Sequence, residues 1–245
     1  MTAIRCFDTL SSSANISEKM KGKFIVIEGL DGCGKSTQVR LLQQKLEADG
    51  TAHRFIHFPM LNQGVYGNLT AEFLRGEFGS LEEVHPKLVA LLFANDRLEH
   101  IGIIREWLDK GYCVLADRYV YSNVAFQCAK LKAEEKKREL KDWILAYEFG
   151  HNALPRPDRT LFLDMPFSFI ERSLTSEREG SDRDYLNGRK DIHESSLAFQ
   201  RNVLEMYRKL LAEEKDFSAV SCTDEEGNLS SIGEIQLRIR EILNL

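Results

Sequence analysis

The sequence has no long apolar run and no excess of basic residues. A membrane-spanning helix needs about 20 consecutive apolar residues, and no stretch of this chain approaches that length. The 33 basic and 38 acidic residues are mixed along the chain and give a net charge of -5, so the sequence lacks the basic stripe that follows a nucleic-acid backbone. We therefore expect a protein that binds neither membranes nor nucleic acids.

The sequence also has few cysteines, and their spacing forms no recognisable pattern. The chain has Cys6, Cys33, Cys113, Cys128 and Cys222, which are widely spaced, odd in number and without a CxxC pair. This spacing argues against both a disulfide framework and a zinc site. The amino-terminal twenty residues also lack the apolar core of a secretory signal. A reducing, cytoplasmic setting is the resulting expectation.

Length and composition predict one domain. The 245 residues are 43% hydrophobic, which is enough to bury a sizeable core as a single α/β domain. Residues 1–20 are Ser-rich and patternless, and we expect them to form a disordered extension. Residues 21–245 then form the domain.

Short apolar segments alternate with amphipathic ones along this domain. The predicted strands are Phe24–Ile27, Ala52–Phe58, Tyr112–Asp117, Arg159–Asp164 and Phe217–Cys222. The predicted helices are Lys35–Asp49, about Glu82–Lys110, Lys132–Tyr147 and Ile192–Leu211. The second of these helices carries a predicted apolar face of Leu88, Leu91, Leu92, Leu98, Ile101, Ile104 and Leu108. Such alternation predicts a parallel sheet flanked by helices, with ligands at the carboxyl ends of the strands.

The most specific motif follows the first predicted strand. Its residues are Gly29, Leu30, Asp31, Gly32, Cys33, Gly34, Lys35, Ser36 and Thr37. The glycines let backbone N–H groups turn inward around phosphates, Lys35 supplies a mobile positive charge, and the Ser36 hydroxyl can bind Mg²⁺. Because the motif lies between a strand and a helix, it predicts a P-loop that binds a nucleoside triphosphate.

Two further pairs suggest an acceptor site. Asp117 and Arg118 follow the third predicted strand, where the carboxylate can hold Mg²⁺ through water and the guanidinium can clamp a phosphate. A surface ion pair is the alternative. Phe93 and Arg97 are four residues apart on one helix face and suit the ring and edge of a nucleobase. On their own they are more often a core Phe and a solvent-facing Arg.

Taken in order, these segments resemble the thymidylate kinase family. The matching stretches are Glu28–Gln38, Phe58-Pro59, Leu91–Arg97, Asp117–Tyr119 with Ser122, Pro155–Asp158, and Asp191–Glu194 with the helix through Tyr207. The resemblance covers nearly the whole chain from Lys21 onward and is similar in detail to the Bacteroidetes-type bacterial form. It implies a five-stranded parallel sheet flanked by helices, of the P-loop nucleoside monophosphate kinase type, and a homodimer.

By this resemblance, Phe93 stacks on the thymine base of the acceptor and Arg97 bonds to its edge. Arg118 holds the phosphate of the acceptor, and Asp117 lies near the donor phosphates and Mg²⁺. Asp31 accepts a hydrogen bond from the deoxyribose 3′-hydroxyl.

The resemblance implies further contacts with the acceptor dTMP. Phe126 crowds the 2′ position of the sugar, and the Gln127 amide pairs with thymine. A buried Phe and an exposed Gln on an ordinary helix are the alternative. Phe58, Pro59 and Ser122 complete the implied acceptor site.

The chain departs from the family after Phe58-Pro59. The family often carries an arginine two residues after this pair, where it meets the acceptor phosphate, but here Met60 and Leu61 follow. We expect Arg75, near the next helix, to supply the missing charge.

A second departure lies in the loop. One branch of the family has an arginine where this chain has Gly32, and another branch supplies that charge from a lid. A charge-dense segment at about 176–190 predicts such a lid, with Arg178 and Arg183 as candidates beside Lys35 and Arg118 for the catalytic set. A solvated charged loop is the alternative.

The predicted reaction is transfer of the ATP γ-phosphoryl group to dTMP, with Mg²⁺, to give dTDP and ADP. A deoxynucleoside kinase usually places an acid just after the second strand to activate a hydroxyl, and this chain has none there. A regulatory GTPase is disfavoured because neither an Asn-Lys-x-Asp nor an Asp-x-x-Gly segment stands at the expected place. Another pyrimidine monophosphate kinase and a catalytically silent binding protein stay open.

Overall fold

The computed structural model describes residues 22–175, 185–186, 191–194 and 196–245. Five parallel strands form one sheet: β1 Phe24–Glu28, β2 His53–His57, β3 Cys113–Asp117, β4 Arg159–Asp164 and β5 Phe217–Ser221. Their order across the sheet is β2-β3-β1-β4-β5. All five predicted strands are present within one or two residues of their predicted bounds, and the predicted fold class is confirmed. The predicted extension, residues 1–20, lies outside the described residues.

The described residues include eight α-helices, which flank the sheet. They are α1 Lys35–Ala48, α2 Gly64–Leu74, α3 Pro86–Asp109, α4 Val120–Cys128, α5 Glu134–Leu145, α6 Phe167–Thr175, α7 Leu197–Glu213 and α8 Ile232–Leu243. A π-helical segment, Ala146–His151, continues α5. None of the helices in the described ranges is long and apolar enough to cross a membrane. The helix bounds predicted from periodicity cover α1, α3 and α5 and all but the last two residues of α7. Helix α4 shows no such period because every residue in it is buried.

Local chemistry explains where two helices begin. Helix α3 starts at Pro86 and not near Glu82, because Pro suits the first helical position and His85 Nδ1 accepts from Lys87 N at 3.2 Å. Helix α7 starts at Leu197 and not at Ile192, because Ser196 Oγ accepts from Phe199 N at 3.2 Å and caps the helix.

The predicted apolar face of α3 is partly wrong. Leu88 and Leu98 are 59% and 37% exposed. The side of α3 that is buried instead carries Val89, Ala90, Ala94, Asp96, Arg97, Ile101, Ile104 and Leu108. Helices α2 and α4 pack against α3. The two buried charged residues of α3 have hydrogen-bond partners that its periodicity does not predict, because Asp96 accepts from Met60 N and Arg97 donates to Glu148.

The sheet order determines where a ligand can bind. Strand β1 lies between β3 and β4, and the chain leaves its carboxyl end through the glycine-rich loop. In an open parallel sheet, a crevice forms at this position outside the carboxyl ends of the strands. The paired registers Ile27↔Asp117 and Ile27↔Leu161 bring the segments that follow β3 and β4 to the same edge.

The core beneath this edge depends on large buried side chains. Phe162 on β4 is fully buried, and its ring stacks on Tyr207 with centroids 4.7 Å apart. We expect Phe162→Ala to lower the free energy of unfolding by about 3–5 kcal/mol, because the substitution leaves a cavity in a packed core. Denaturant unfolding checks this value. The control Leu237→Ala removes a half-exposed α8 side chain and should change stability far less, so equal losses in both variants would contradict this description of the core.

Candidate active site

The glycine-rich loop joins β1 to α1 and has the backbone shape that a phosphate cradle needs. Gly32 and Gly34 adopt φ values of 73° and 86°, in the left-handed region that favours glycine. Gly34 is the N-cap of α1 and supplies no side chain, so the N–H groups of the first helical turn are open to an anion. Lys35 Nζ lies across the loop and donates to the carbonyl oxygens of Leu30 at 2.9 Å and Gly29 at 3.4 Å.

One cavity of about 770 Å³ brings most predicted site residues together. Its lining includes, from the sequence predictions, Asp31, Gly32, Gly34, Lys35, Ser36, Thr37, Phe58, Pro59, Phe93, Arg97, Asp117, Arg118, Ser122, Phe126 and Gln127. Gly29, Leu30 and Cys33 do not line it. Leu30 and Cys33 point into the core and are 2% and 1% exposed, so only their backbone can serve a ligand in the cavity.

Arg118 is the charged centre of this cavity. Its Nη2 donates to Asp31 Oδ1 at 2.6 Å, its Nη1 donates to Ser122 Oγ at 3.0 Å, and its guanidinium lies 5.0 Å from the centroid of the Phe126 ring. Burial lowers the pKa of Arg118, but the surrounding acidic groups, Asp31 first, outweigh burial and raise it. Burial likewise raises the pKa of Asp31, but Arg118 and Lys35 reverse this and lower it to about 2. Both groups are therefore charged at neutral pH.

The residues predicted to hold Mg²⁺ are chemically suited to it. Asp117 is 3% exposed, and its buried Oδ1 has no hydrogen-bond partner among the described residues. Burial raises the pKa of Asp117, but the hydrogen bond from His57 and the charge of Lys35 lower it, so the carboxylate is ionised. Ser36 offers a hydroxyl to the same cavity. Within the described ranges no cluster of three or more His, Cys, Asp or Glu could hold a metal ion.

Arg97 is buried and held by a partner that the sequence did not reveal. The guanidinium is 2% exposed and donates to both oxygens of Glu148, from Nε at 2.5 Å and from Nη2 at 2.7 Å. The alternative of a solvent-facing arginine is therefore wrong. Burial lowers the pKa of Arg97, but Glu148 outweighs burial and raises it. Glu148 belongs to the π-helical segment, and no periodic pattern marks it as a site residue.

Asn123 and Gln127 form a polar face of α4 toward the cavity. They are four residues apart, 2% and 1% exposed, and the side-chain oxygen of each has no hydrogen-bond partner in the described part of the chain. The alternative of an exposed Gln127 is thus wrong. Asn123 was not predicted, although its helical spacing from Gln127 could have indicated it. Its Nδ2 donates to Glu148 at 2.8 Å, which joins this face to the Arg97 pair.

His193 is a further residue of the cavity that was not predicted from the sequence. Its ring is nearly parallel to that of Phe93, with centroids 6.1 Å apart, and lies 5.1 Å from that of Phe126. Burial lowers the pKa of His193 well below its usual value, so the ring is neutral at neutral pH. The resemblance included the segment Asp191–Glu194 but assigned it no role.

Arg75, the cation predicted to replace the missing arginine, lies elsewhere. Arg75 does not line the cavity, because Nε donates to Glu77 at 2.7 Å and Nη1 donates to the Tyr185 carbonyl at 2.9 Å. The structure therefore does not bring Arg75 to the acceptor site. Arg178 and Arg183, with nearly all of the predicted lid, lie outside the described residues.

Comparisons with known proteins identify the family of this chain. A family model described as "Thymidylate kinase" matches residues 27–231. The chain belongs to the thymidylate kinase family. The matched range contains the loop, the Asp117–Arg118 pair and all of α3.

Individual thymidylate kinases show the same relationship. The chain is 34% identical over 191 residues to the thymidylate kinase of Mycobacterium tuberculosis, an alignment that covers 77% of this chain and 86% of the relative. It is 31% identical over 204 residues to a probable thymidylate kinase of Pyrococcus abyssi, covering 82% and 89%. A solved structure of thymidylate kinase from Candida albicans is 26% identical, covers 91% of this chain and 92% of its own, and superimposes with a TM-score of 0.69.

Lys130 lies behind the aromatic part of the cavity. Its buried Nζ has no hydrogen-bond partner among the described residues and sits 4.7 Å from the Phe73 ring centroid. Burial lowers the pKa of Lys130 from 10.5 to about 7. The pKa of Lys130 is lower in the folded protein than in the unfolded chain. The buried amine therefore does not affect the free energy of unfolding above about pH 10.5, and it lowers that free energy as the pH falls toward 7.

We therefore expect Lys130→Met to stabilise the protein more at pH 6.5 than at pH 9.5, with a gain on the order of 1–3 kcal/mol at the lower pH. Denaturant unfolding at both pH values measures the difference. Lys132→Met, at an exposed neighbouring position, is the matched control and should show no such pH-dependent gain. Parallel pH profiles for wild type and Lys130→Met would contradict the burial of an unpaired ammonium.

Proposed function

We propose that this chain transfers the γ-phosphoryl group of ATP to the phosphate of dTMP, forming dTDP and ADP. One observation carries the proposal: a single cavity is lined both by the phosphate loop and by Phe93, Arg97 and Arg118. Phosphoryl transfer depends on holding donor and acceptor together and neutralising the charge on the moving group. Membership of the thymidylate kinase family supports dTMP as the acceptor.

In this proposal Phe93 stacks on thymine and Arg97 donates to its edge. The bidentate contact with Glu148 supports this role, because it fixes the guanidinium before the base arrives and so reduces the cost of ordering it. Phe126 lies against the sugar. Gln127 offers the base its side-chain amide oxygen, which has no hydrogen-bond partner among the described residues. Phe58, Pro59 and Ser122 form the remaining wall of the acceptor site.

Arg118 binds the acceptor phosphate, while Asp31 accepts from the 3′-hydroxyl of the sugar. Their 2.6 Å ion pair supports the assignment, because two groups that touch are placed to bind adjacent parts of one nucleotide. An incoming phosphate competes with Asp31 for the guanidinium, and the sugar hydroxyl then replaces part of what Asp31 loses. Lys35 leaves the loop carbonyls to bind the donor phosphates.

We further propose that Ser36 and, through water, Asp117 hold Mg²⁺, which neutralises charge on the donor phosphates when bound. An acceptor phosphate is already anionic and needs no general base. This supports a monophosphate kinase over a deoxynucleoside kinase, because none of the residues that follow β2 and line the cavity is an acid. These residues are Phe58, Pro59, Met60, Leu61, Asn62 and Gln63.

The same proposal includes assembly, compartment and domain limits. Exposed Leu88, Leu98 and Ile103 on α3 support a homodimer that covers this helix. The described cysteines are all free, which supports a cytoplasmic location, and the motif set supports a Bacteroidetes-type bacterial form. A single domain of residues 21–245, with a lid at about 176–190, completes the proposal.

A coupled ADP-release assay tests the reaction by offering ATP-Mg²⁺ with dTMP, dUMP, CMP, UMP or thymidine. We expect dTMP to be the preferred acceptor and thymidine to be inactive, because thymidine brings no phosphate to Arg118. Lys35→Ala should abolish activity, whereas Lys45→Ala, farther along the same helix, should retain it. Phosphorylation of thymidine without phosphorylation of dTMP would contradict the proposal.

The lid arginines are tested separately. We expect Arg178→Ala or Arg183→Ala to lower kcat on the order of 10³-fold with little change in the KM for dTMP, because a lid arginine contacts mainly the moving phosphoryl group. Arg172→Ala, near the end of α6 before the lid, is the control and should keep wild-type kcat. If Arg178→Ala and Arg183→Ala both keep wild-type kcat, the charge comes from another part of the chain.

A further inference from the structure

Glu28 is a fully buried carboxylate at the carboxyl end of β1. Its Oε1 accepts from the backbone N–H groups of Tyr119 at 2.9 Å and Ser122 at 3.1 Å. Its Oε2 accepts from the Tyr207 hydroxyl at 2.9 Å and from Ser122 Oγ. Four hydrogen bonds from the described residues therefore satisfy this buried side chain, as a buried polar group requires.

The two backbone donors belong to the start of α4. Tyr119 immediately precedes this helix and provides no side-chain cap. The first N–H groups of a helix lack partners within the helix and carry partial positive charge, which a carboxylate stabilises. Glu28 therefore caps α4 from a neighbouring strand, and the position of the helix start depends on that contact.

Arg118 is the residue directly before this capped start. Its φ of 67° lies in the left-handed region, which is strained for a residue other than glycine. Two hydrogen bonds hold this conformation: Arg118 N donates to Ile27 O at 2.9 Å, and the next N–H donates to Glu28. Ser122, which bonds to the Arg118 guanidinium, is itself bonded to Glu28. The carboxylate thus fixes both the backbone and the side-chain direction of Arg118.

A third element meets the same carboxylate. Tyr207 lies on α7, the helix that follows the proposed lid, and its hydroxyl is 3.4 Å from Arg118 Nη1 as well as 2.9 Å from Glu28. Gln200, earlier on α7, donates to Asp31 at 3.0 Å. Helix α7 is therefore tied to both acidic groups around Arg118.

We propose that Glu28 is a positioning residue, which holds Arg118 in its left-handed conformation so that the guanidinium faces the acceptor phosphate. The inference rests on the proposed role of Arg118 as the anchor of that phosphate. It assigns to Glu28 no contact with either nucleotide. Its effect is expected in acceptor binding and orientation and not in binding of the donor.

The test is steady-state kinetics on Glu28→Gln, which keeps the size of the side chain but replaces one acceptor oxygen by a donor. We expect kcat/KM for dTMP to fall on the order of 10–100-fold, because a small misplacement of a positioning group is costly, while the KM for ATP stays within about twofold. Asp158→Asn is the matched control: Asp158 accepts from Phe24 N at 2.8 Å at the opposite end of β1. It should leave the KM for dTMP unchanged.

A double-mutant cycle with Arg118→Ala separates positioning from a general structural effect. If Glu28 acts through Arg118, adding Glu28→Gln to Arg118→Ala causes no further loss in kcat/KM for dTMP. A multiplicative loss, or equal rises in KM for both substrates, would overturn the inference while leaving the proposed function intact. If Arg118→Ala keeps the wild-type kcat/KM for dTMP, both the proposed role of Arg118 in binding the acceptor phosphate and the inference about Glu28 are wrong. If Glu28→Gln does not fold, the same double-mutant cycle is measured with Tyr207→Phe in its place. We expect a smaller loss of kcat/KM for dTMP in that variant.

Discussion

The pairing of β1 with β3 is the constraint on which the rest of the site depends. Its register sets Ile27 opposite Asp117, so the phosphate loop after β1 and the Asp117–Arg118 pair after β3 emerge side by side. Backbone hydrogen bonds of the sheet therefore fix the spacing between the proposed donor and acceptor sites. Helix α4 follows Arg118 and adds Ser122, Phe126 and Gln127 to the cavity. Phe93 and Arg97 reach the same cavity from α3.

The cavity also contains two arginines that are each paired with a carboxylate. Arg118 contacts Asp31, and Arg97 contacts Glu148, so both buried guanidinium groups have a carboxylate before any ligand arrives. Burying an unpaired ion is expensive, and these pairs keep the cations charged and oriented in the folded protein. The two pairs differ in their consequence for binding. In the proposed complex Arg97 keeps Glu148 while it meets a neutral base, whereas Arg118 shares its donors between Asp31 and an anionic phosphate.

The sequence predicted the strands and the loop well because short apolar runs and a glycine pattern carry local information. It was less informative where a residue's environment depends on distant segments. Leu88 and Leu98 fit a helical period yet are exposed, since the buried side of α3 carries Asp96 and Arg97. Glu28, Glu148 and His193 have partners many residues away, and no local spacing identifies those contacts. Arg75 was expected at the acceptor phosphate, but Glu77 and the Tyr185 carbonyl hold it outside the cavity.

The central claim is that the acceptor phosphate binds Arg118 in the cavity shared with the phosphate loop. A crystal structure of the chain with dTMP and a non-hydrolysable ATP analogue tests it most directly. The account predicts dTMP phosphate oxygens within hydrogen-bond distance of the Arg118 guanidinium, the base against Phe93, and the analogue's phosphates in the loop. A dTMP phosphate bound away from Arg118, or a base outside the space next to Phe93, would contradict it.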